Sequence, residues 1–311
     1  MDIFDNKKLK PMLIAQMMEP FDSPDYIYEL KLDGIRCIAY LDKTGVELQN
    51  KRYLILTPIF PELGEINKQV NKKCILDGEL IVSINGKPEF FEVQKRALMK
   101  DKFRIKLAAA KHPASFVAYD ILYLDGKQVT DLPLMERKEL LTKTVKENDR
   151  IAVSRYIEEK GTDLYNLTVQ QELEGIVAKR KESKYFIDKN TKDWVKIKNL
   201  RDDDYVICGY ILKDKGVASI VLGQFRGSEM IYKGHVTIGV SGQDFQIILK
   251  QPRLKASPFT YIPKGNEAAV WIEPTLVGIV KYMMKSEAGS LRQPIFKGLR
   301  DDKTAEECVE V

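Results

Sequence analysis

The alternation of apolar and polar positions divides the chain unevenly. Tyr26 to Leu41, rich in Tyr, Ile and Leu, predicts strand. Leu80 to Ile84 followed by Asn85-Gly86 predicts a strand entering a turn, and Ile121 to Leu124, Asp125-Gly126 and Lys127 to Val129 predict a hairpin. Helical spacing fits Pro61 to Val70, Glu89 to Met99, Pro133 to Val145 and Asp163 to Glu172. Pro133 suits a first helical turn, and Thr162 suits the cap of the helix that follows it. Past Asn199-Leu200-Arg201-Asp202-Asp203-Asp204 the helical signal fades. Tyr205 to Leu212, Ala218 to Phe225 and Met230 to Val240 predict short strands, with turns at Lys215-Gly216 and Arg226-Gly227-Ser228. Short strands packed this densely predict a small β-barrel, so the reading is α+β with a boundary near residue 200. The acidic stretch Thr304 to Val311 reads as a frayed tail.

Composition narrows the class. The chain has 311 residues, 44% hydrophobic and 31% charged, enough for two domains with cores of their own. A net charge of +5 permits a polyanionic partner without requiring one. Cys37, Cys74, Cys208 and Cys308 show no zinc-ligand or disulfide spacing, which points to free thiols and a reducing, cytoplasmic setting. The polar start, Met1 to Lys10, offers no secretory signal, and no run is apolar enough to span a bilayer.

Three charged stripes carry the candidate chemistry. In Glu29-Leu30-Lys31-Leu32-Asp33-Gly34, extended backbone would turn Glu29, Lys31 and Asp33 to one side. Arg36 follows, a cation whose fork matches phosphate. Asp77 and Glu79 share a side in Asp77-Gly78-Glu79-Leu80, as do Trp194, Lys196 and Lys198 in Trp194-Val195-Lys196-Ile197-Lys198. Each stripe alone is also what a solvated surface shows. Gathered at one cleft, the acids suit a divalent metal and the lysines suit phosphates.

These segments, in this order, resemble the covalent nucleotidyltransferases and, within them, the ATP-dependent DNA ligases. The resemblance runs from Lys10-Pro11-Met12-Leu13 to Lys303. Lys31-Leu32-Asp33-Gly34-Ile35-Arg36 matches the family's K-x-D-G-x-R, and Asp77-Gly78-Glu79-Leu80 its D-G-E-L. Phe116 to Asp120, Glu174-Gly175-Ile176-Val177, Trp194 to Lys198, and Arg292-Gln293-Pro294 through Arg300-Asp301-Asp302-Lys303 match the remaining motifs. Any one is weakly specific; the ordered set is not. Pro88 to Arg96, Leu132 to Leu141 and Phe296 to Arg300 resemble the ligase module of bacterial end-joining ligases.

The resemblance implies a nucleotidyltransferase domain with antiparallel sheets over residues 1–200 and an OB-fold barrel over 201–311, sealing 5′-phosphate/3′-hydroxyl nicks through lysyl-AMP and DNA-adenylate. Lys31 would attack the α-phosphate of ATP. A free lysine titrates near 10.4, so neighbouring positive charge must favour the neutral amine; Lys196, Lys198 and a bound Mg²⁺ or Mn²⁺ are the candidates. Glu29 would accept from the adenine amino group, Tyr119 would stack on the base, and Val177 would lie opposite. Glu79 and Glu174 would hold metal, with Glu79 also near the ribose. Asp33 would act once the nick is engaged. Arg36 and Arg52 would contact AMP and the 5′-phosphate; Lys51-Arg52-Tyr53 departs from the usual S-R-N, so its neighbours are not carried over. Arg300, Asp302 and Lys303 would grip the β- and γ-phosphates. Partners implied are nicked duplex DNA and, by likeness to end-joining ligases, Ku; a monomer is expected. His112 and His235 lie outside every motif. The rivals are a capping guanylyltransferase, an RNA ligase, and an inactive nucleic-acid-binding protein. NAD⁺ as donor would need further modules for which these residues leave no room.

Overall fold

The computed structural model describes residues 2–212, 218–262, 264–286 and 289–310, so the predicted turn at Lys215-Gly216 lies outside the described residues. Two compact units emerge, Met1–Asn199 and Leu200–Val311.

The first unit is built on two sheets. Its strands are β1 (Leu13–Met17), β2 (Ser23–Leu30), β3 (Ile35–Asp42), β4 (Gly45–Asn50), β5 (Cys74–Ile84), β6 (Lys87–Pro88), β7 (Ala114–Leu124), β8 (Lys127–Gln128), β9 (Ile151–Val153), β10 (Tyr156–Glu159), β11 (Gly175–Arg180) and β12 (Asn190–Lys198). One sheet runs β1-β12-β11-β2-β10; the other runs β4-β3-β5-β7-β8, with β6 on β5 and β9 on β7. Both are antiparallel except at β1–β12 and β7–β9. Helices α1 (Ile3–Asn6), α2 (Phe90–Ala97), α3 (Lys102–Lys111), α4 (Leu134–Thr144) and α5 (Gly161–Gln170) cover them.

Three cores divide this unit by strand alternation. Cys37, Ala39 and Leu41 on β3 and Leu76, Leu80 and Val82 on β5 point to one side of the second sheet and pack with Phe60, Phe116 and Leu141. Their alternates Ile38, Tyr40 and Ile75 face the first sheet and meet Ile27 and Trp194. The far side of the first sheet, Tyr28, Ile176, Val195 and Ile197, is covered by Leu164 and Tyr165 of α5. Alternation at period two thus leaves a cleft between the sheets, apolar at its floor.

Helix α4 buries Leu134, Arg137, Lys138, Leu141 and Thr144, a stripe at helical spacing in which two positions are cationic. Arg137 is fully buried and grips Asp120 on β7 with two 2.8 Å bonds, while its remaining donors reach the carbonyls of Leu132 and Ser183. Four of its five N–H donors are thereby used, which offsets much of the desolvation cost of a buried ion pair.

The second unit comprises β13 (Arg201–Leu212), β14 (Ala218–Arg226), β15 (Glu229–Val236), α6 (Gly242–Leu249), β16 (Val270–Trp271), β17 (Val277–Tyr282) and β18 (Ile295–Arg300). The sheet order is β15-β14-β13-β17-β18, with β16 on β13. A bridge between Ile238 and Ile295, carried by the 2.8 Å bond from Phe296 N–H to the Ile238 carbonyl, draws the two edges together. Tyr205, Ile207, Leu222, Val280 and Phe296 fill one side with Ile248 of α6. This is the OB-fold barrel that the resemblance implies.

Several local expectations are corrected. The predicted strand Tyr26 to Leu41 is interrupted: β2 ends at Leu30 and β3 starts at Ile35, so Asp33 lies in the connecting loop and not on the strand face of Glu29. Pro61 to Val70 forms two short 3₁₀ turns, Pro61–Leu63 and Ile66–Gln69, in place of one helix; Gly64 between them lowers helical propensity. Lys160, not Thr162, occupies the cap position of α5; the Thr162 N–H instead bonds Asp22 Oδ1 at 2.7 Å. Helix α6 stands in the region where helical signal fades. The C-terminal stretch is held, not frayed: Thr304 and Glu307 form a capping box, Val309 bridges Phe225, and Glu310 pairs with Arg226 at 2.7 Å and Lys233 at 2.5 Å.

Candidate active site

Adjacent pairing of β2, β11 and β12 places the charged stripes in register. Glu29, Val177 and Lys196 form one row across the sheet. Two residues along, Ile27, Lys179 and Trp194 form the next. In the other direction the ladder continues one residue past β2: Lys31 N–H donates to the Gly175 carbonyl at 2.9 Å, and Gly175 pairs with Lys198. Lys31 Nζ thereby reaches Glu174 Oε1 at 2.8 Å, and Lys198 Nζ stands 3.8 Å from the same oxygen. Gly175 has φ +130°, and a Cβ there would sit 2.2 Å from the Ile197 carbonyl, so this close backbone approach requires glycine.

The opposite wall comes from β3, β5 and β7. Arg36 lies across from Glu79 and reaches diagonally to Asp77, with Nη2 2.6 Å from Oδ2 and Nε 3.1 Å from Oδ1. The Tyr185 hydroxyl donates to Asp77 Oδ2 at 2.7 Å and accepts from Met12 N–H, tying the same carboxylate to the edge of the first sheet. Asp77 pairs with Asp120 and Gly78 with Ala118, so Tyr119 is the extra residue of a β-bulge. Bulges re-aim a side chain. Here Tyr119 turns toward the cleft, with Arg36 5.6 Å and Lys179 4.6 Å from its ring centre. Gly34 packs against β5: a Cβ would lie 2.2 Å from the Leu80 carbonyl and 2.9 Å from Glu79 Cγ. The loop that follows Lys31 is therefore seated directly beside Glu79.

Glu29 is deeply buried between two lysines, Lys138 Nζ at 2.5 Å from α4 and Lys179 Nζ at 2.9 Å from β11. Burial works against its charge, but the two lysines outweigh it and hold the carboxyl below the ordinary range. Lys179 is pushed down to about 8, mainly by burial, and its ammonium also lies 4.2 Å from the Trp194 ring centre. Lys196 is lowered by burial and then by the nearby positive charge of Lys31, with Arg36 and Lys51 adding to it.

Glu79 is pushed up to about 8, first by burial; Lys31 and Arg36 pull it back, and Glu174 and Asp77 push it further. Between pH 4.5 and about 8 the folded chain keeps a proton there that the unfolded chain releases. That contribution to stability is complete at low pH and is lost as pH rises through the folded value. Glu79 keeps part of its surface in solvent, so Glu79→Gln is expected to gain about 1–2 kcal/mol at pH 8 relative to pH 5. Urea unfolding at the two pH values checks this. An equal effect at both would show that Glu79 carries its charge in the fold.

Of the sequence-predicted residues, Lys31, Glu174 and Lys198 meet in direct contact, and Glu79, Arg36 and Lys196 share their electrostatic field. Arg52 lies exposed in the turn after β4, whereas its neighbour Lys51, set aside in the motif comparison, is the residue whose charge acts on Lys196. Arg300 and Lys303 belong to the second unit, where both pair with Asp204 at 2.9 and 2.7 Å; Arg300 also grips Asp302 at 2.8 and 2.6 Å. The Arg300 bonds pull the Asp302 carboxyl down to about 2. Sequence reasoning missed Lys138, Lys179 and Tyr185. For Lys138 a signal existed: it occupies a core position in the apolar stripe of α4.

A cleft between two sheets, a lysine on a buried glutamate at its mouth and an appended OB-fold barrel define a covalent nucleotidyltransferase of the ligase architecture. The profile of the ATP dependent DNA ligase domain matches residues 8–198, and that of the ATP dependent DNA ligase C terminal region matches residues 213–303. The chain belongs to the ATP-dependent DNA ligase family. It is 29% identical to the SPbeta prophage-derived DNA ligase-like protein LigB of Bacillus subtilis, over 94% of this chain and 99% of that one. It is 27% identical to the multifunctional non-homologous end joining DNA repair protein LigD of Mycobacterium tuberculosis, over 99% of this chain and 40% of that protein. Among solved structures, a mycobacterial DNA ligase D complexed with ATP and MES superposes with a TM-score of 0.57 at 25% identity, covering 98% of this chain and 99% of that one. No helix among the described residues is long and apolar enough to cross a membrane.

Proposed function

We propose that this chain seals 5′-phosphate/3′-hydroxyl nicks in duplex DNA, with AMP carried on Lys31 Nζ. The observation that carries the reading is the 2.8 Å contact between Lys31 Nζ and Glu174, with Lys198 beside it and the field of Lys196 around it. In the first step the Lys31 amine, its lone pair freed by loss of a proton to solvent, forms a P–N bond to the α-phosphorus of ATP while the bond to pyrophosphate breaks. Glu174 holds the amine in place. Lys196 and Lys198 supply positive charge for the phosphate oxygens on which charge gathers. The AMP then passes to the 5′-phosphate of the nick, freeing Lys31, and the 3′-hydroxyl displaces AMP to close the backbone. Positioning and charge neutralisation carry these transfers.

Glu29 is the adenine acceptor in this scheme, Tyr119 and Val177 frame the base, and Arg36 and Arg52 serve AMP and the 5′-phosphate. Asp33, in the loop seated on Leu80, serves the nick step. Arg300, Asp302 and Lys303 of the barrel serve the β- and γ-phosphates. Glu79 and Glu174 fit a Mg²⁺ or Mn²⁺ ion: both offer hard oxygen donors, and their charges act on each other across the site. Bound there, the ion would neutralise phosphate charge. The same reading makes the chain a monomeric, cytoplasmic enzyme of DNA repair or end joining with Ku as its candidate partner; the likeness to an end joining DNA repair protein supports the repair role.

The test takes protein freed of prior AMP and supplies ATP or GTP with Mg²⁺, followed by nicked duplexes of DNA or RNA. An AMP adduct at Lys31 and sealing of nicked DNA are the expected results. Labelling by GTP alone, or no adduct, overturns the reading.

A further inference from the structure

Between Glu92 and Asp120 the chain carries one acidic residue, Asp101, and it is spent capping α3 through the Arg104 N–H. The same stretch carries Lys95, Lys100, Lys102, Arg104, Lys106 and Lys111, all exposed. Among the described residues only Lys95 of these six forms an ion pair, with Glu92 at 3.7 Å. Elsewhere in this unit surface cations are commonly paired, as Lys7, Lys68 and Lys143 are. The α3 cations therefore form a local positive field that no ion pair among the described residues neutralises.

Apolar side chains stand among them. Leu98 is 76% exposed, Phe103 69% and Leu107 55%. Ile105 is the buried residue of α3, so Phe103 and Leu107, four apart, lie on its outward side, with exposed Lys102 and Lys106 flanking them on one edge and Arg104 on the other. The support beneath is rigid. Arg96 of α2 is buried, pairs with both oxygens of Glu62 at 2.8 and 2.7 Å, and reaches the His112 carbonyl at the end of α3.

Topology fixes where this surface stands. The α2–α3 segment links the end of β5 to the start of β7, at the pairing of Val82 with Ala114. The loop 31–34 rests on Leu80, two residues away along β5, where Ile35 pairs with Leu80. The nucleophile loop and the basic helix thus border the same end of one sheet.

We propose that the outward face of α3 grips the phosphate backbone of duplex DNA beside the nick, with Lys102, Arg104 and Lys106 on phosphates and Phe103 and Leu107 against the sugars. This rests on the ligase reading above and names a surface for its substrate. A narrow apolar strip bordered by cations on both edges suits a backbone of alternating phosphate and deoxyribose, whereas a membrane-surface helix turns its cations to the face opposite its apolar one.

The test uses the whole chain and a nicked duplex with a 3′-dideoxy end, so that binding is read without sealing. A triple variant, Lys102→Gln with Arg104→Gln and Lys106→Gln, keeps helix propensity. It is expected to take AMP from ATP at the parent rate, to bind the nick more weakly, and to show a log–log salt slope shallower by about 2.7, from roughly 0.9 per lost phosphate contact. A second variant, Phe103→Ser with Leu107→Ser, is expected to lose affinity with the slope unchanged. A parent-like slope in the triple variant, with AMP transfer intact, overturns the proposal. Failure of AMP transfer in the parent overturns the ligase reading instead.

Discussion

Lys31→Ala is expected to abolish AMP transfer and nick sealing together, a loss on the order of 10⁴ or more, while leaving the fold and DNA binding in place. Lys31 Nζ lies 2.8 Å from Glu174, a full ångström nearer than Lys198, so Lys198 does not stand in its place. Lys31→Arg sharpens the test. Its guanidinium keeps the positive charge and can pair with Glu174, yet it does not deprotonate at accessible pH. If the role of this side chain were only to neutralise Glu174, arginine would retain activity. We expect it to fail as completely as alanine, read by labelled AMP on the protein and by product on a sequencing gel. Substantial sealing by either variant removes Lys31 from the mechanism.

Glu29→Gln is expected to lower unfolding stability by about 3–5 kcal/mol, the usual effect of deleting one member of a buried ion pair. Lys138 and Lys179 both lose their counter-charge inside the cleft, and Lys179 is already held down to about 8 by burial. A second consequence follows if Glu29 also serves the adenine edge. The variant should then discriminate less between ATP and GTP, because a carboxylate accepts from the adenine amino group and an amide can present a donor instead. Urea titration measures the first effect and competition between labelled nucleotides the second. A stable variant with unaltered nucleotide choice would mean that the triad is dispensable in both respects.

Much of the site was legible because its residues are local. Lys31, Gly34 and Arg36 fall within six positions, and Gly175 follows Glu174 directly. The glycines mark places where a Cβ would collide with backbone, at the Leu80 and Ile197 carbonyls. The fold class was legible for a related reason: strand periodicity separated the chain near residue 200, and barrel strands with turn residues showed beyond it. Helix α6 escaped because eight residues against a barrel end carry little periodic signal of their own. The C-terminal stretch misled because its acids read as solvated, when Glu310 is the counter-charge for Arg226 and Lys233, far earlier in the chain.

The sequence by itself determined the chemistry on offer: which side chains are amines, acids and guanidinium groups, and, within unbroken strands, which of them share a side. Only the tertiary structure decided their pairing, because strand partners are chosen by packing across long sequence separations. It ended β2 at Leu30, so that Asp33 left the strand face, and it inserted Tyr119 as a bulge aimed into the cleft. It brought Lys138 from α4 and Lys179 from β11 onto Glu29, a contact set by the burial of one helix stripe against the sheets. Periodicity fixes a side chain's direction, but its charge state depends on the neighbours that close over it.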